Sequence, residues 1–454
     1  YKLYYKKMSV NRYIEIAPTN VPSTGKISFR NGQPVIQFII GASEHLLLGN
    51  SIRVTGDFQC FKSPGVQMTA DILSNMDCKT GVYSTIDQLV IKNHGQFSTI
   101  EHIKNYNRFM ASYLPVTSSL NDTIGHFSNT ALTTPNFALM KSSVVDNVGA
   151  TALVPQNSFS VHLPSGFLLG QQPIYLGAQG GINGIVIELH LSPDNNVFHV
   201  DKASPDAADV AAMNQSYYEF SNLKLTAELV EPDPQTLQSL QGGVGQTYQY
   251  NSISSYYTSI NSANAVVNFN LGLKNVLGVF ANFVSAQRIN NYQWNGMETR
   301  WLHNDGVGAG SGDAAFIKTL IWTKGGSKYP LSYDTETLQK NNSKNTCADP
   351  SVVRDFVDSI LQFSKPGRTS ISPMNTYQAQ ASPTTDNHSI NNGQIAGIGM
   401  AYDQISDSGV DFSTENFGIQ MTCNLITDNA TGMYLFVHSK QVLVFNSTGL
   451  QVLK

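Results

Sequence analysis

The sequence predicts an all-β protein built from two tandem antiparallel sandwiches, and three observations lead to this fold class. Segments in which apolar and polar residues alternate with period two recur along both halves of the chain. Charged residues make up only 13% of the 454 residues, about half the usual share of roughly 25%, so the Lys and Glu that cover exposed helix faces are scarce. A proline-rich segment near the middle divides the chain into two halves. Long loops and few helices between the strands favour antiparallel sandwiches over a parallel α/β sheet.

The clearest strand patterns occur in four segments, Val35–Ile40, Ser51–Phe58, Ile185–Leu191 and Leu223–Leu229. In the last of these, apolar residues occupy one face and polar residues the other, as expected of a half-buried strand. Late in the chain, Met433–Val437 and Gln441–Phe445 are both strand-like and flank the polar residues His438-Ser439-Lys440. We therefore predict a hairpin that turns at these three residues.

Three helices are predicted from capping signals and helical periodicity. Ser98-Thr99-Ile100-Glu101 has the pattern of a capping box, and apolar residues follow it at helical spacing as far as Tyr113. Ser204-Pro205 begins a short Ala-rich helix that ends near Met213. Asp349-Pro350 begins the clearest helix, in which Val352, Phe356 and Ile360 recur on one face.

The domain boundary is predicted after Val230. Glu231-Pro232-Asp233-Pro234 cannot continue a strand, and Gln235–Gln241 is long enough for two helical turns before Gly242-Gly243. We therefore predict an N-terminal arm at residues 1–24, a first sandwich at 25–230, a linker helix at 231–244 and a second sandwich at 245–454.

Composition excludes several classes of function. Lys and Arg total 28 against 32 Asp and Glu, a net charge of -4, so the chain has no basic field for sequence-specific nucleic-acid binding. No apolar run approaches the roughly 18 residues of a membrane-spanning helix, so no transmembrane segment is predicted. A surface made polar by Asn, Ser, Thr and Gln suits packing against copies of the same chain.

The residue types that could carry chemistry lack the spacing that chemistry requires. The cysteines Cys60, Cys78, Cys347 and Cys423 are scattered, which predicts free buried thiols rather than a zinc site or a disulfide framework. The other candidates are His94, His102, His190, the glycine-rich run Gly306–Gly312 and the cluster Asp403, Asp407 and Asp411. The glycine-rich run lacks the Lys and Ser/Thr of a phosphate-binding loop. The three aspartates indicate a solvated loop, and a structural calcium ion is the alternative. We predict no catalytic, cofactor-binding or metal-binding residue, no cofactor and no enzymatic activity.

Several stretches, taken together and in order, carry a family resemblance. They are Gly25–Ile40, Leu46–Gly56, Gly81–Ile91, Ile103–Arg108, Gly397–Asp403, Gly409–Asp411 and Met433–His438. This ordered set resembles the double jelly-roll major capsid proteins, most closely those of virophages and polinton-like viruses. Each match is short and degenerate, so the signal lies in their order along both halves.

The resemblance implies two eight-stranded jelly rolls side by side, each built from antiparallel sheets, with a few short helices. It implies a structural virion protein, made in the host cell, that forms pseudo-hexagonal homotrimers by self-assembly. The trimers would tile an icosahedral shell, with penton and minor capsid proteins as further partners. The basic, aromatic segment Tyr1–Met8 would face inward, and the loops Gly306–Gly312 and Ser382–Gly393 would face outward or toward neighbours.

Two other functions are compatible with an all-β chain. The first is a β-sandwich lectin or attachment protein whose glycan site uses loop aromatics such as Trp294 and Trp301. The second is a β-sandwich glycoside hydrolase, which requires two carboxylates about 5–10 Å apart in one cleft.

Overall fold

The structure of the chain is a computed structural model that describes most of both halves. The described residues are 11–67, 74–76, 80–117, 157–200, 207–241, 247–297, 302–303, 314–330, 350–361, 397–402, 408–423, 430–446 and 449–453, without 23, 31, 33, 171, 179, 180, 294 and 316.

Antiparallel strands dominate the first half. They are β1 (Asn11–Ile16), β2 (Val35–Ile40), β3 (Leu46–Ser63), β4 (Val66–Gln67), β5 (Ser74–Met76), β6 (Ile86–Asn93), β7 (Thr99–Lys104), β8 (Asn157–His162), β9 (Ile174–Tyr175), β10 (Ile185–Leu191), β11 (Phe198–Val200) and β12 (Tyr217–Val230). The helices of this half are α1 (Tyr106–Thr117), α2 (Asp194–Val197) and α3 (Ala207–Met213), with a 3-10 turn at Gly81–Thr85.

The second half begins after the helix α4 (Pro234–Gln241) and likewise consists mainly of antiparallel strands. Its strands are β13 (Thr247–Ile260), β14 (Asn264–Phe269), β15 (Val276–Ser285), β16 (Leu302–His303), β17 (Ala314–Ala315), β18 (Ile317–Lys324), β19 (Ser327–Lys328), β20 (Gly397–Ala401), β21 (Phe417–Cys423), β22 (Thr431–Asn446) and β23 (Gly449–Leu453). A 3-10 turn at Ala286–Arg288 and the helix α5 (Pro350–Leu361) complete it.

Four large sheets hold most of these strands, two in each half, and the short pairs β5–β11 and β16–β17 form two further two-stranded sheets. Sheet A has the order β1-β12-β3-β8, with β4 and β9 also on β3, and sheet B has the order β2-β10-β6-β7. Sheet C has the order β13-β22-β15-β20, with β23 also on β22, and sheet D has the order β14-β21-β18-β19.

The two halves have the same topology. When the eight main strands of each half are numbered in chain order, both give one sheet of order 1-8-3-6 and a second of order 2-7-4-5. This pairing of sequence-distant strands is that of a jelly roll, and we call the two units the first and second roll. The predicted fold class, an all-β chain of two tandem antiparallel jelly rolls with few short helices, is confirmed.

Each roll encloses an apolar core between its two sheets. In the second roll, the side chains of Trp322, Phe417 and Leu435 are fully buried between sheets C and D. In the first roll, Phe38, Leu47 and residues of similar size fill the space between sheets A and B. The alternation of buried and half-buried residues along β2 and β12 follows the period-two pattern of the sequence. All four strand segments singled out from the sequence lie within strands.

The connection between the rolls contains the helix α4. Asp233 caps it, because its Oδ1 accepts hydrogen bonds from the backbone N–H groups of Gln235 and Thr236, each at 3.0 Å. The strand β1 lies within the predicted arm at residues 1–24, where it pairs with β12. The boundaries at residues 25, 231 and 245 remain predictions.

The capping-box prediction at Ser98 is wrong, because Thr99–Lys104 forms the strand β7. Glu101, the supposed capping residue, is only 3% exposed, and its carboxylate binds backbone N–H groups of other segments. Asn105 then adopts a left-handed φ of 54° and separates the strand from the helix α1. The later part of the predicted helix is correct, since α1 begins at Tyr106 and contains Tyr113. The other two predicted helices correspond to α3 and α5, whose described bounds begin at Ala207 and Pro350.

The hairpin prediction at His438-Ser439-Lys440 is also wrong, because β22 runs without interruption through these residues. His438 and Ser439 are fully buried, and they pair with Ile253 and Ser252 of β13. Polar residues there do not mark a turn, because neighbouring strands satisfy their backbone groups on both sides. The closing hairpin instead joins β22 to β23.

A substitution at Gly399 tests how closely the helix α5 packs against sheet C. A Cβ at this position would overlap the hydroxyl of Ser359 and lie 2.9 Å from the Cα of Phe356. We expect Gly399→Ala to lower the free energy of unfolding by about 1–3 kcal/mol, because the helix must shift outward. Denaturant titration measures this change. Gly41→Ala is the control, since a Cβ there meets nothing within 4 Å, and it should change stability by less than about 0.5 kcal/mol. Equal effects of the two substitutions would contradict the close packing of α5.

Candidate assembly interfaces

The central strands of sheet C, β15 and β22, are buried on both of their faces, whereas the edge strand β13 is partly exposed. Every residue of β15 is buried, and the members of that strand divide between two apolar clusters. Val279, Ala281 and Phe283 point into the core of the second roll, whereas Phe280 and Val284 belong to the cluster that continues into the first roll. A strand buried on both faces reads as a continuous apolar run, which is what the sequence has here.

The outer face of sheet C packs against the helix α1 of the first roll. The ring centroid of Phe109 in α1 lies 5.9 Å from that of Phe280 and 5.6 Å from that of Phe436. Phe356 of α5 also contacts Phe280, with centroids 6.2 Å apart. Full burial of one such side chain is worth about 1.5–3 kcal/mol. We call this contact between the two rolls the seam.

Glu101 connects three segments inside the seam. Its Oε1 accepts a hydrogen bond from the N–H of Ile253 in the second roll at 2.8 Å, and its Oε2 accepts one from the N–H of Phe167 in the first roll at 3.0 Å. The hydroxyls of Ser165 and Ser252 are further partners. Burial raises the pKa of Glu101, while these hydrogen bonds act in the opposite direction. The carboxylate therefore fixes the position of β13 relative to the first roll.

A second buried polar side chain of the seam lies on the second roll. Asn282 of β15 donates from Nδ2 to the backbone oxygen of Arg108 at 2.8 Å and to the hydroxyl of Ser112 at 2.9 Å. The Arg108 guanidinium is buried over the ring of Tyr434, 5.3 Å from its centroid. Because a cation held over an aromatic face is stabilised by the ring's negative potential, this contact suits a buried arginine.

The rolls also meet where the segment after β15 reaches the first roll. Asn290 donates its backbone N–H to Asn196 Oδ1 at 2.8 Å and accepts a hydrogen bond from Asn195 Nδ2 at 2.9 Å. The hydroxyl of Tyr292 donates to the backbone oxygen of Ser216 at 2.9 Å. These contacts add a hydrogen-bonded region to the apolar centre of the seam.

Asp194 lies beside this second contact and is 6% exposed. Its Oδ1 accepts a hydrogen bond from the N–H of Tyr218 at 3.2 Å, and its Oδ2 lies 3.7 Å from Nε of Arg30. Burial raises the pKa of Asp194 to about 6, although the Tyr218 N–H and the Arg30 charge lower it.

Sheet A occupies in the first roll the topological position that sheet C occupies in the second, but its outer face is open. Glu15 and Lys224 form an ion pair at 2.8 Å, with side chains 63% and 52% exposed. Tyr13 is 74% exposed, and Asp57 accepts a hydrogen bond from Asn222 at 2.6 Å. The face is therefore polar and charged, in contrast to the aromatic outer face of sheet C.

The three histidines named from the sequence lie on sheet B or at its end. His102 Nε2 lies 2.8 Å from Oε1 of Gln88, and burial, followed by the nearby charge of Lys104, lowers the pKa of His102. His190 Nε2 lies 3.8 Å from the carboxylate of Glu188. The ring of His94 contacts that of Phe97 at the hairpin between β6 and β7.

The remaining candidates lie mostly outside the described residues. These are Tyr1–Met8, Cys78, Trp294, Trp301, Gly306–Gly312, Cys347, Ser382–Gly393, Asp403 and Asp407. Asp411 is described, and its Oδ1 accepts a hydrogen bond from the N–H of Ser413 at 2.7 Å, as in a turn. Cys60 and Cys423 are buried free thiols, as predicted for these two.

Within the described ranges, His, Cys, Asp and Glu side chains nowhere gather in a group of three that could hold a metal ion. In the same part of the chain, no helix combines the length and apolar character needed to cross a membrane.

Sequence reasoning missed the residues that build the seam. Phe280 and Phe436 are apolar residues in strands, and the sequence does not tell which of two apolar faces meets another roll. Glu101 offered a signal, because a carboxylate stands between apolar residues in the segment Ile100–Ile103. A buried charge in such a strand indicates a specific set of partners.

Comparison with known proteins identifies the class of fold. No protein-family model and no curated protein matches the sequence. The fold nevertheless matches solved structures over nearly the whole chain, and the proteins concerned are double jelly-roll capsid proteins.

The particular structures come from three viruses. The Faustovirus major capsid protein has a TM-score of 0.57 at 10% identity, covering 98% of this chain and 92% of that one. The PBCV-1 virus capsid model has a TM-score of 0.56 at 11% identity, covering 100% and 99%. The structure of the Sputnik virophage has a TM-score of 0.54 at 12% identity, covering 100% and 91%. The chain has the double jelly-roll fold of these proteins.

Glu101→Gln tests the polar centre of the seam. Glutamine has one acceptor oxygen where the carboxylate has two, so one buried N–H of Ile253 or Phe167 faces the amide nitrogen instead. We expect the free energy of unfolding to fall by about 1–3 kcal/mol, measured by denaturant titration. The control Glu15→Gln removes an exposed ion pair and should cost less than about 1 kcal/mol. A Glu101→Gln protein as stable as the parent would show that the carboxylate does not hold the seam.

The raised pKa of Asp194 predicts that the free energy of unfolding depends on pH. Its pKa of about 6 in the folded chain exceeds the ordinary 3.8, so the folded state binds this proton more tightly than the unfolded state. The resulting stabilisation is fully present below the unfolded pKa and is lost as the pH rises through about 6. Its size is on the order of 3 kcal/mol.

Asp194→Asn removes this titration and preserves the oxygen that accepts from Tyr218. Unfolding free energies of parent and variant, measured from about pH 4 to about pH 7, should therefore diverge, with the parent losing stability relative to the variant. Parallel curves would contradict the raised pKa.

Proposed function

We propose that this chain is the major capsid protein of an icosahedral virus and that it functions by self-assembly as a pseudo-hexagonal homotrimer. The observation that carries the proposal is the repeated topology: two rolls with the same strand order lie side by side in one chain. Six such rolls from three chains present six similar sides, which suits a ring of near-hexagonal outline.

The seam provides the model for the contact between chains. Within one chain, α1 of the first roll and α5 of the second half together cover the outer face of sheet C, whereas the equivalent outer face of sheet A is open. In a closed ring of alternating rolls, the second roll of a neighbouring chain covers sheet A. Its charged and hydroxyl-bearing surface keeps the free chain soluble and is typical of a contact that forms after folding.

The trimers then tile the virion shell. Penton proteins occupy the vertices, minor capsid proteins bind the inner surface, and the chain is made inside the host cell. The protein acts as a structural element, and its chemistry is that of packing and hydrogen bonding. A lectin or a glycoside hydrolase is not favoured by any contact among the described residues.

The solution mass of the purified chain tests this proposal. Light scattering should give about 148.5 kDa, three times the 49.5 kDa of one chain, and negative-stain images of the same peak should show hexagonal outlines. A chain that stays at 49.5 kDa at high concentration would contradict the trimer and direct attention to glycan binding.

Thr226→Arg tests the role of sheet A. Thr226 lies in the middle of the sheet, opposite Glu15 on one side and Arg53 on the other, so a long charged side chain there should obstruct a neighbouring roll. We expect the trimer to dissociate at least tenfold more readily, a cost of about 1.4 kcal/mol or more. The matched control is Thr99→Arg on the exposed side of β7, which should leave the trimer intact. Equal trimer stability of the two variants would place the contact elsewhere.

A further inference from the structure

Hydrogen bonds hold the segment after β15 on the first roll. Asn195 donates from Nδ2 to the backbone oxygen of Asn290 at 2.9 Å, and Asn196 Oδ1 accepts from the N–H of Asn290 at 2.8 Å. The hydroxyl of Tyr292 donates to the backbone oxygen of Ser216 at 2.9 Å. We call these three hydrogen bonds between the rolls the clasp.

Asp194 is linked to every hydrogen bond of the clasp. It is the first residue of α2 and directly precedes the two asparagines. Its Oδ2 lies 3.7 Å from Nε of Arg30. The same guanidinium donates to the backbone oxygens of Gln215 and Ser216, at 2.6 and 3.4 Å. Because the Ser216 oxygen also accepts from Tyr292, a shift of Arg30 toward the carboxylate disturbs the clasp at that oxygen.

The ionised form of Asp194 is poorly compensated in this position. Its side chain is buried, and the N–H of Tyr218 lies 3.2 Å from its Oδ1. Charge-assisted hydrogen bonds to a carboxylate are usually about 2.7–2.9 Å long, so this bond and the approach of Arg30 are both long. Glu101 in the seam differs, because two backbone N–H groups and two hydroxyls bind its carboxylate. A proton on Asp194 therefore removes a charge that its surroundings stabilise weakly.

We propose that Asp194 is a pH-sensitive switch of the clasp: its protonated side chain keeps the clasp closed, and loss of the proton opens the clasp while the seam stays packed. Ionisation draws the guanidinium of Arg30 toward the carboxylate and away from the Ser216 oxygen. The seam stays packed because the contacts of Phe109 with sheet C are aromatic and do not titrate. Burial raises the pKa of Asp194 to about 6, so the closed clasp is favoured below this pH and weakened as the pH rises through it.

Other titratable and charged groups lie on the elements that surround Asp194. They are Arg30, Cys60, Tyr83, Asp87, His199, Tyr218 and Tyr292. The arginine keeps its charge at all relevant pH values. Burial raises the pKa of the thiol and of the three tyrosines, so these groups stay neutral where Asp194 titrates. Control variants separate the contributions of Asp87 and His199 from that of Asp194.

Amide hydrogen exchange of the whole chain tests the switch, with rates corrected for the intrinsic pH dependence of exchange. Peptides that contain Asn290 report on the clasp, and peptides from β15 report on the seam. We expect the clasp to open about tenfold more often at about pH 7 than at about pH 5, because opening returns the pKa of Asp194 from about 6 toward the ordinary 3.8. The rise should level off above about pH 7. At each pH the clasp should open at least about tenfold more often than β15.

Variants assign the pH response to its group. Asp194→Asn keeps the oxygen that accepts from Tyr218 and should abolish the rise, with the clasp closed at both pH values. Arg30→Gln removes the cation that lowers the pKa of Asp194, so its rise should occur at higher pH than in Arg30→Lys, which keeps the charge. Asp87→Asn and His199→Gln are the matched controls and should keep the rise of the parent chain.

Several outcomes would overturn the inference. These are an equal rise in Asp194→Asn, no rise in the parent chain, and clasp opening as rare as that of β15. Loss of the rise in Asp87→Asn or His199→Gln would also overturn it, because another group would then be the switch. If Asp194→Asn does not fold, the two Arg30 variants decide, and equal midpoints count against the switch. The exchange measurement needs no trimer, so a chain that stays monomeric contradicts the proposed function without affecting this test.

Discussion

The burial of β15 and β22, the central strands of sheet C, on both faces is the constraint on which the rest of the molecule depends. One face closes the core of the second roll and the other packs on α1 of the first roll, so these two strands belong to both apolar clusters. Phe280 and Phe436 belong to the seam through side chains that alternate with core residues on the same strands. Because side chains of a strand alternate between faces, a shift of one residue would exchange the two sets. The relative position of the rolls is therefore linked to the register of β15 and β22.

Polar groups inside the seam select one arrangement among many apolar ones. Aromatic contacts alone tolerate sliding, whereas Glu101 requires the N–H groups of Ile253 and Phe167 at fixed positions. Burying the carboxylate costs free energy, and its hydrogen bonds offset that cost only in the native arrangement. Asn282 acts in the same way from the other side, through Arg108 and Ser112. The seam thus combines apolar contacts, which supply stability, with buried hydrogen bonds, which supply orientation.

Period-two patterns were sufficient to predict the fold class, because strands such as β2 and β12 have one face in a core and one in solvent. The same reasoning failed where tertiary contacts replace local ones. In the sequence, Glu101 occupies the position of a capping residue, yet its hydrogen-bond partners lie in distant segments. His438 belongs to a polar run that is typical of a turn, although two neighbouring strands bury it. The seam could not be predicted for a related reason: Phe280 and Val279 look alike in the sequence, and only the packing distinguishes them. An alternation rule carries no information about what covers the second face.

The outer faces of sheets A and C differ in chemistry although the two sheets have the same strand order. The outer face of sheet C is aromatic, whereas that of sheet A carries the ion pair of Glu15 and Lys224. Apolar contacts are the strongest per unit area and suit a contact that forms once, during folding. Charged faces resist premature association and favour a partner of matching pattern. The aromatic face of sheet C therefore suits a permanent contact inside the chain, whereas the charged face of sheet A suits a contact that forms only after folding.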